Sequence, residues 1–176
     1  FYDSWDYSIT FNPYDDPFGS ARKRPASETF SKAAVFEEFF HARQHYKYDG
    51  LGYSFSVAGI YIETEAKMAK IYTAYSTLSV SDRRSVAKVL ATFEEWRIPE
   101  DELSILINDE GSMNNDVVKY SEKKLAGEEI SEALEASFRD SMKECAKRIG
   151  AKYKNGYETE AETYGGETEL FDELTE

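Results

Sequence analysis

The apolar side chains of residues 130–149 have the spacing that most constrains the fold. They step by four, four, four, three and four residues: Ile130, Leu134, Phe138, Met142, Cys145 and Ile149. An α-helix places such side chains on one face because it turns once every 3.6 residues. The pattern therefore predicts a long helix from about Asn115 to Gly150, with a kink at Gly127. Its apolar face needs other helices to cover it.

Earlier parts of the chain show the same helical spacing. It predicts helices over about 27–48, 57–75 and 82–98, with a short helix after Pro99. In the first of these helices we expect the apolar residues to form one broad face: Phe30, Val35, Phe36, Phe39 and Phe40. The predicted fold class is mainly α, an antiparallel bundle of about four main helices within residues 27–151.

The acidic charge is concentrated at the two ends of the chain. The net charge is −13, and residues 1–18 hold four acidic residues and no basic one, while 155–176 hold eight and none. This leaves 22 of the 34 acidic residues, against all 21 basic residues, in 19–154. We therefore predict a nearly neutral helical body, an extended arm with a basic hinge at 1–26, and a flexible acidic tail at 152–176.

The N-terminal arm is rich in aromatic side chains. Seven of its first eighteen residues are aromatic, and Pro13 and Pro17 favour an extended path over a helix. Because exposed rings favour aggregation, we expect them to dock on a partner protein. The predicted partner-binding residues are the rings and the hinge bases: Phe1, Tyr2, Trp5, Tyr7, Phe11, Tyr14, Phe18, Arg22, Lys23 and Arg24. In the competing interpretation, the arm folds back over the helices of its own chain.

These features favour a non-enzymatic structural or accessory subunit of a larger assembly, whose partners are other protein subunits. A second hypothesis is an acidic inhibitor that mimics nucleic acid and blocks a partner's nucleic-acid site. Direct nucleic-acid binding is not expected from a nearly neutral body. An enzyme would need a site built from carboxylates and tyrosines without a recognisable motif. No apolar run reaches the ~20 residues that span a membrane, and peripheral association stays compatible with the sequence.

One segment resembles a known family. Residues 132–153, EALEASFRDSMKECAKRIGAKY, resemble the helix of single-strand annealing proteins in which an Ala-rich basic stretch runs into Phe-Gly. Here Arg148, Ile149 and Gly150 stand in that place. The resemblance implies binding of single-stranded nucleic acid in a basic groove. The β-hairpin sheet that forms this groove in the family has no recognisable counterpart upstream, so this function ranks below the other two.

Both histidines of the chain lie in the stretch EEFFHARQH. His41 and His45, together with Glu38 or Glu37, have the spacing of zinc ligands on one helix face. A carboxylate-bridged di-metal bundle needs a second Glu-x-x-His, which a chain with two histidines lacks. We therefore predict two ordinary helix residues and no metal.

The sequence contains no motif for a cofactor or a catalytic nucleophile. It lacks a Gly-rich phosphate loop and a G-x-S-x-G elbow. The single cysteine, Cys145, lies in an apolar helix stripe, where a thiol packs as a small hydrophobic group. We predict no catalytic residue, no cofactor and a buried, inert thiol.

The first residues do not have the character of a signal peptide. They lack a basic leader followed by an apolar run, and the sequence starts at Phe1 rather than at Met. We expect an intracellular or organellar protein whose targeting segment has been removed, or a component of a viral particle.

Overall fold

The computed structural model describes residues 2–3, 8–9, 31–50, 59–99, 102, 106–107, 111–152 and 161–165. Within these residues the protein is mainly helical, as predicted. The helices are α1 (Lys32–Gly50), α2 (Gly59–Ser76), α3 (Val86–Trp96), α4 (Asn115–Ala126) and α5 (Glu132–Lys152), with a 3₁₀ turn at Asp82–Arg84 before α3. None of the helices in these ranges is both long and apolar enough to cross a membrane.

Helix α2 is the centre of the fold. Thirteen of its eighteen residues are buried, and it contacts α1, α3 and α5. Its large apolar side chains fill the middle of the core: Ile60, Ile62, Met68, Ile71, Tyr72 and Tyr75. Because α2 is surrounded by protein, each polar side chain on its buried sides needs a partner inside the molecule.

Helices α4 and α5 pack against each other through stacked rings. The rings of Tyr120 and Phe138 lie nearly parallel, with their centroids 3.8 Å apart. Asn114 caps α4, since its side chain accepts hydrogen bonds from the backbone N–H groups of Asp116 and Val117. On α5 the predicted apolar stripe is buried at Phe138, Met142, Cys145 and Ile149, so the predicted helical face is confirmed.

The prediction of one kinked helix over 115–150 is wrong, because the chain makes two helices there. Gly127 adopts a left-handed conformation with φ of 65°, and its N–H and that of the next residue bond to the last carbonyl groups of α4. This geometry is a helix stop rather than a kink. Helix α3 ends in a similar way, since Arg97 has φ of 62° and stops the helix two residues before Pro99.

The N-terminal segment contributes two short strands. Tyr2–Asp3 (β1) pairs antiparallel with Ser8–Ile9 (β2), and β1 contacts α1 of the same chain. The other arm and hinge residues, including most of the predicted partner-binding residues, lie outside the described residues. So does the predicted helix start near Ser27, and the described part of α1 begins at Lys32.

Part of the predicted flexible tail packs on the helices. Ala161 and Tyr164 are buried, and the Tyr164 ring lies 6.3 Å from that of Tyr61 on α2. The expectation of a flexible tail therefore fails at 161–165, because an aromatic side chain in an acidic segment can still anchor it to an apolar surface. The remainder of 153–176 lies outside the described residues.

The turn between α4 and α5 provides a test of this fold. No atom lies within 4 Å of the position that a Cβ at Gly127 would take, so Gly127→Ala creates no clash. The left-handed backbone alone should lower the free energy of unfolding by about 1 kcal/mol. Gly127→Asn should lower it less, since Asn tolerates this conformation. Urea unfolding measures both changes, and equal losses for Ala and Asn would contradict the explanation.

Candidate functional site

Helix α1 buries several polar side chains and exposes two of its rings. Its larger buried side chains are Phe40, His41, Gln44, His45 and Tyr48, and His41, Gln44 and Tyr48 contact α2. The opposite side is exposed, with Phe39 at 62% and Tyr46 at 86% of their full surface. The prediction that Phe39 shares a broad apolar face with Phe40 is wrong, because adjacent helix positions point about 100° apart. The inner side is occupied by a polar network instead.

The network is built around two buried lysines of α2. Lys67 and Lys70 keep only 5% and 2% of their surface exposed. They lie three residues apart and therefore share one side of the helix. A buried ammonium group is costly unless a carboxylate neutralises it, so these positions require acidic partners from neighbouring elements.

Glu37 of α1 contacts both lysines. Its carboxylate oxygens lie 2.8 Å from Lys67 Nζ and 2.5 Å from Lys70 Nζ. Burial alone would raise the pKa of Glu37, but the charges of Lys70 and Lys67 hold it well below its usual value. Glu102 adds a second bridge, at 2.8 Å from Lys70 and 3.4 Å from Lys67. The two lysines and two glutamates thus form a buried ionic cluster that joins three parts of the chain.

His41 extends the cluster along α1. Its Nε2 lies 3.6 Å from a carboxylate oxygen of Glu63, whose other oxygen is 3.8 Å from Lys67 Nζ. Its Nδ1 lies 2.8 Å from the side-chain oxygen of Gln44. His41 is therefore held between a carboxylate on one ring nitrogen and an amide on the other.

Glu65 accepts hydrogen bonds from two uncharged side chains of α1. Its carboxylate accepts a hydrogen bond from Gln44 at 2.7 Å and from the Tyr48 hydroxyl at 2.7 and 2.8 Å. The Tyr48 hydroxyl also lies 3.2 Å from that of Tyr61. Burial, and then the charge of Glu65, raise the pKa of Tyr48 far above its usual value, so this phenol remains a neutral donor.

Cys145 of α5 lies within the electrostatic reach of the same cluster. Burial, and then the charge of Glu102, raise the pKa of its thiol to about 12, against the opposing charges of Lys67 and Lys70. A thiol in this state is not a nucleophile at neutral pH. The prediction of a buried thiol is confirmed.

The sequence-predicted metal residues are only partly brought together. Among the described residues, the set whose ligand atoms converge is Glu37, His41 and Glu63, with all three atoms within 4.8 Å of one another. Glu63 was not predicted, since it lies on another helix. Glu38 and His45 do not belong to this set. The predicted partner-binding residues Phe1, Trp5, Tyr7, Phe11, Tyr14, Phe18, Arg22, Lys23 and Arg24 lie outside the described residues, and only the backbone of Tyr2 is described.

The chain matches no known protein-family model, no curated protein and no solved structure at a significant level. The resemblance of 132–153 to single-strand annealing proteins thus finds no support from whole-chain similarity. In the structure this segment is α5, where Arg148 pairs with Glu144 and Lys143 pairs with Asp140. What the protein does must therefore be argued from its own residues.

Removal of the charge on Glu37 tests the ionic cluster. Glu37→Gln leaves two buried ammonium groups facing Glu102, and it should lower the free energy of unfolding by about 3–5 kcal/mol. The matched control is Glu95→Gln, which breaks an exposed pair with Lys32 and should cost less than about 1 kcal/mol. Both values come from denaturant unfolding, and a similar loss for the two variants would refute the cluster.

The buried thiol provides a second test. At pH 8 a thiol of pKa about 12 is ionised in only about one molecule in 10⁴, and protein covers it as well. Iodoacetamide should therefore modify Cys145 much more slowly in the folded protein than in 6 M urea, as followed by mass spectrometry. Equal rates in the two conditions would show that the thiol is accessible.

Proposed function

We propose that this protein is a non-enzymatic helical subunit of a larger assembly that docks on another protein through the outer side of α1. In this proposal the helices form a bundle, the aromatic segment 1–18 is part of the same docking surface, and the acidic segment 152–176 is a tail that packs on the helices at 161–165. The observation that carries the proposal is the pair of exposed rings on α1, Phe39 and Tyr46.

The exposed rings form a defined surface. Phe39, Arg43 and Tyr46 are spaced by four and three residues, which places them on one side of the helix. We call these three exposed residues the outer stripe. Aromatic and arginine side chains are enriched at protein interfaces and carry much of their binding energy. Each ring buries roughly 150–250 Å² in a contact, so two rings and an arginine are enough for an anchor.

The inner side of α1 fixes the outer stripe in place. If α1 could rotate about its axis, its exposed rings would turn inward and be buried in the core of the protein. Here such a rotation of α1 would break the contacts of Glu37 with Lys67 and Lys70 and turn Glu37 toward the outer side of the helix. The ionic cluster therefore supports a stable presentation of Phe39 and Tyr46 to solvent, which favours recognition over a packing fault.

The contact between β1 and α1 concerns the position of the N-terminal arm. It places the backbone of Tyr2–Asp3 beside the helix that carries the outer stripe. This supports a continuous docking surface, and it equally supports the competing interpretation in which the segment covers its own helix. The acidic-inhibitor hypothesis gains no such support, because acidic residues on α5 alternate with bases in ion pairs such as Glu135–Arg139 and Glu144–Arg148.

The test is recovery of the full-length tagged protein from its native source. We expect a stoichiometric complex whose yield falls about 10-fold or more in Phe39→Ser/Tyr46→Ser, since ring truncations at interfaces cost about 2 kcal/mol or more. Deletion of residues 1–18 should also lower it. The matched control is Val80→Ser/Leu90→Ser, which removes two other exposed apolar side chains and should leave the yield unchanged.

Two results would overturn the proposal. One is a native protein that is isolated as a monomer with residues 1–18 protected from proteolysis, which means that the segment packs on its own chain. The other is a complex that persists in the outer-stripe variant but is lost, with a steep salt dependence, when 155–176 is removed. That result would favour the acidic inhibitor.

A further inference from the structure

The hydrogen bonds around Gln44 fix the proton on His41. The Gln44 side-chain nitrogen donates to the backbone carbonyl of Ile62 at 3.0 Å, and a carbonyl can only accept. The Gln44 oxygen therefore faces Nδ1 of His41, at 2.8 Å. Because an amide oxygen cannot donate, Nδ1 must carry the hydrogen. In the neutral ring, Nε2 then has a lone pair and no hydrogen.

This lone pair points to a carboxylate. Nε2 of His41 lies 3.6 Å from Glu63 Oε1, and His41 is only 9% exposed. Two electron-rich atoms at this distance in a buried place repel each other unless a positive centre lies between them. Glu37 supplies a third ligand atom, within 4.8 Å of the other two.

We propose that Glu37, His41 and Glu63 bind a divalent transition-metal ion of the zinc class between α1 and α2. Metal–ligand bonds of 2.0–2.1 Å in a tetrahedron place ligand atoms about 3.4 Å apart. The 3.6 Å between His41 and Glu63 already fits this distance, and the ligand atom of Glu37 lies within 4.8 Å of both. Gln44 acts as a positioning residue, because a second hydrogen bond that fixes the ring is usual for metal-binding histidines. This departs from the expectation of no metal drawn from the sequence, and it does not depend on the proposed docking function.

The charges of the network favour a cation at this place. Glu37 and Glu63 each offer a carboxylate oxygen beside His41, and both would attract a divalent ion at this place. Lys67 is the competitor, because its Nζ lies 2.8 Å from Glu37 and 3.8 Å from Glu63. When metal binds, this ammonium group shifts to Glu102, whose oxygen is 3.4 Å away.

The direct test uses the full-length chain after dialysis against a chelator. Calorimetry with Zn²⁺ should show one ion bound per chain, and Co²⁺ should give the visible absorption of a tetrahedral site. Glu63→Gln should weaken Zn²⁺ binding by about 10-fold or more. Loss of a residue that only supports the metal ligands usually has an effect of this size, so loss of a ligand should have at least the same effect. The control is Glu122→Gln, since Glu122 is exposed to the same degree (21% against 24%) and pairs with Arg84 instead; it should bind like the unaltered chain.

A second variant separates metal binding from structural support. Lys67→Met removes the competing ammonium group and should strengthen Zn²⁺ binding, by about 10-fold or more, whereas a role in packing alone would give no gain. Circular dichroism establishes whether each variant is folded. If Lys67→Met does not fold, the comparison of Glu63→Gln with Glu122→Gln decides the question. The proposal is overturned if Zn²⁺ does not bind to the unaltered chain, or if it binds equally to Glu63→Gln.

Discussion

Two ammonium groups buried in the central helix determine how the elements around it are arranged. Lys67 and Lys70 cannot be left inside the protein without counter-charges, and those come from Glu37 on α1 and from Glu102 between α3 and α4. The packing of α1 on α2 is therefore an electrostatic contact as much as an apolar one. Other buried side chains of α2, Met68, Ile71 and Tyr75, line a small cavity together with Val117 of α4 and Phe138 of α5.

The polar inner side of α1 and its aromatic outer side have a common cause. The inner side of α1 carries Glu37, His41 and Gln44, so the same side cannot also form a continuous apolar face. Rings at the other positions, Phe39 and Tyr46, are then left to solvent. Exposed rings of this kind are tolerated when the surface of a partner protein covers them, which is the physical basis of the proposed docking role.

Much of the helical fold could be predicted from spacing, because α2 and α5 have apolar residues at helical intervals. Gly127 marks the place of the break in the sequence. Whether a glycine kinks or stops a helix depends on its φ angle, which the sequence does not give. The network could not be predicted, since Glu37 and Lys67 lie thirty residues apart and periodicity detects only apolar faces. A usable signal was present, however: Lys67 and Lys70 interrupt the otherwise apolar stretch 66–72 at a three-residue interval.

The spacing of the buried lysines also selects one alignment of α1 along α2. A slide of one helical turn, about 5.4 Å, would leave alanine and aromatic side chains in contact with similar neighbours. It would, however, carry both ammonium groups away from Glu37 and leave them to share the carboxylate of Glu102. Buried charges add little to stability compared with apolar side chains of equal volume, and their best-attested use is to exclude alternative pairings. We expect the ionic cluster to have this use here, because only one alignment of α1 on α2 brings Glu37 to both lysines.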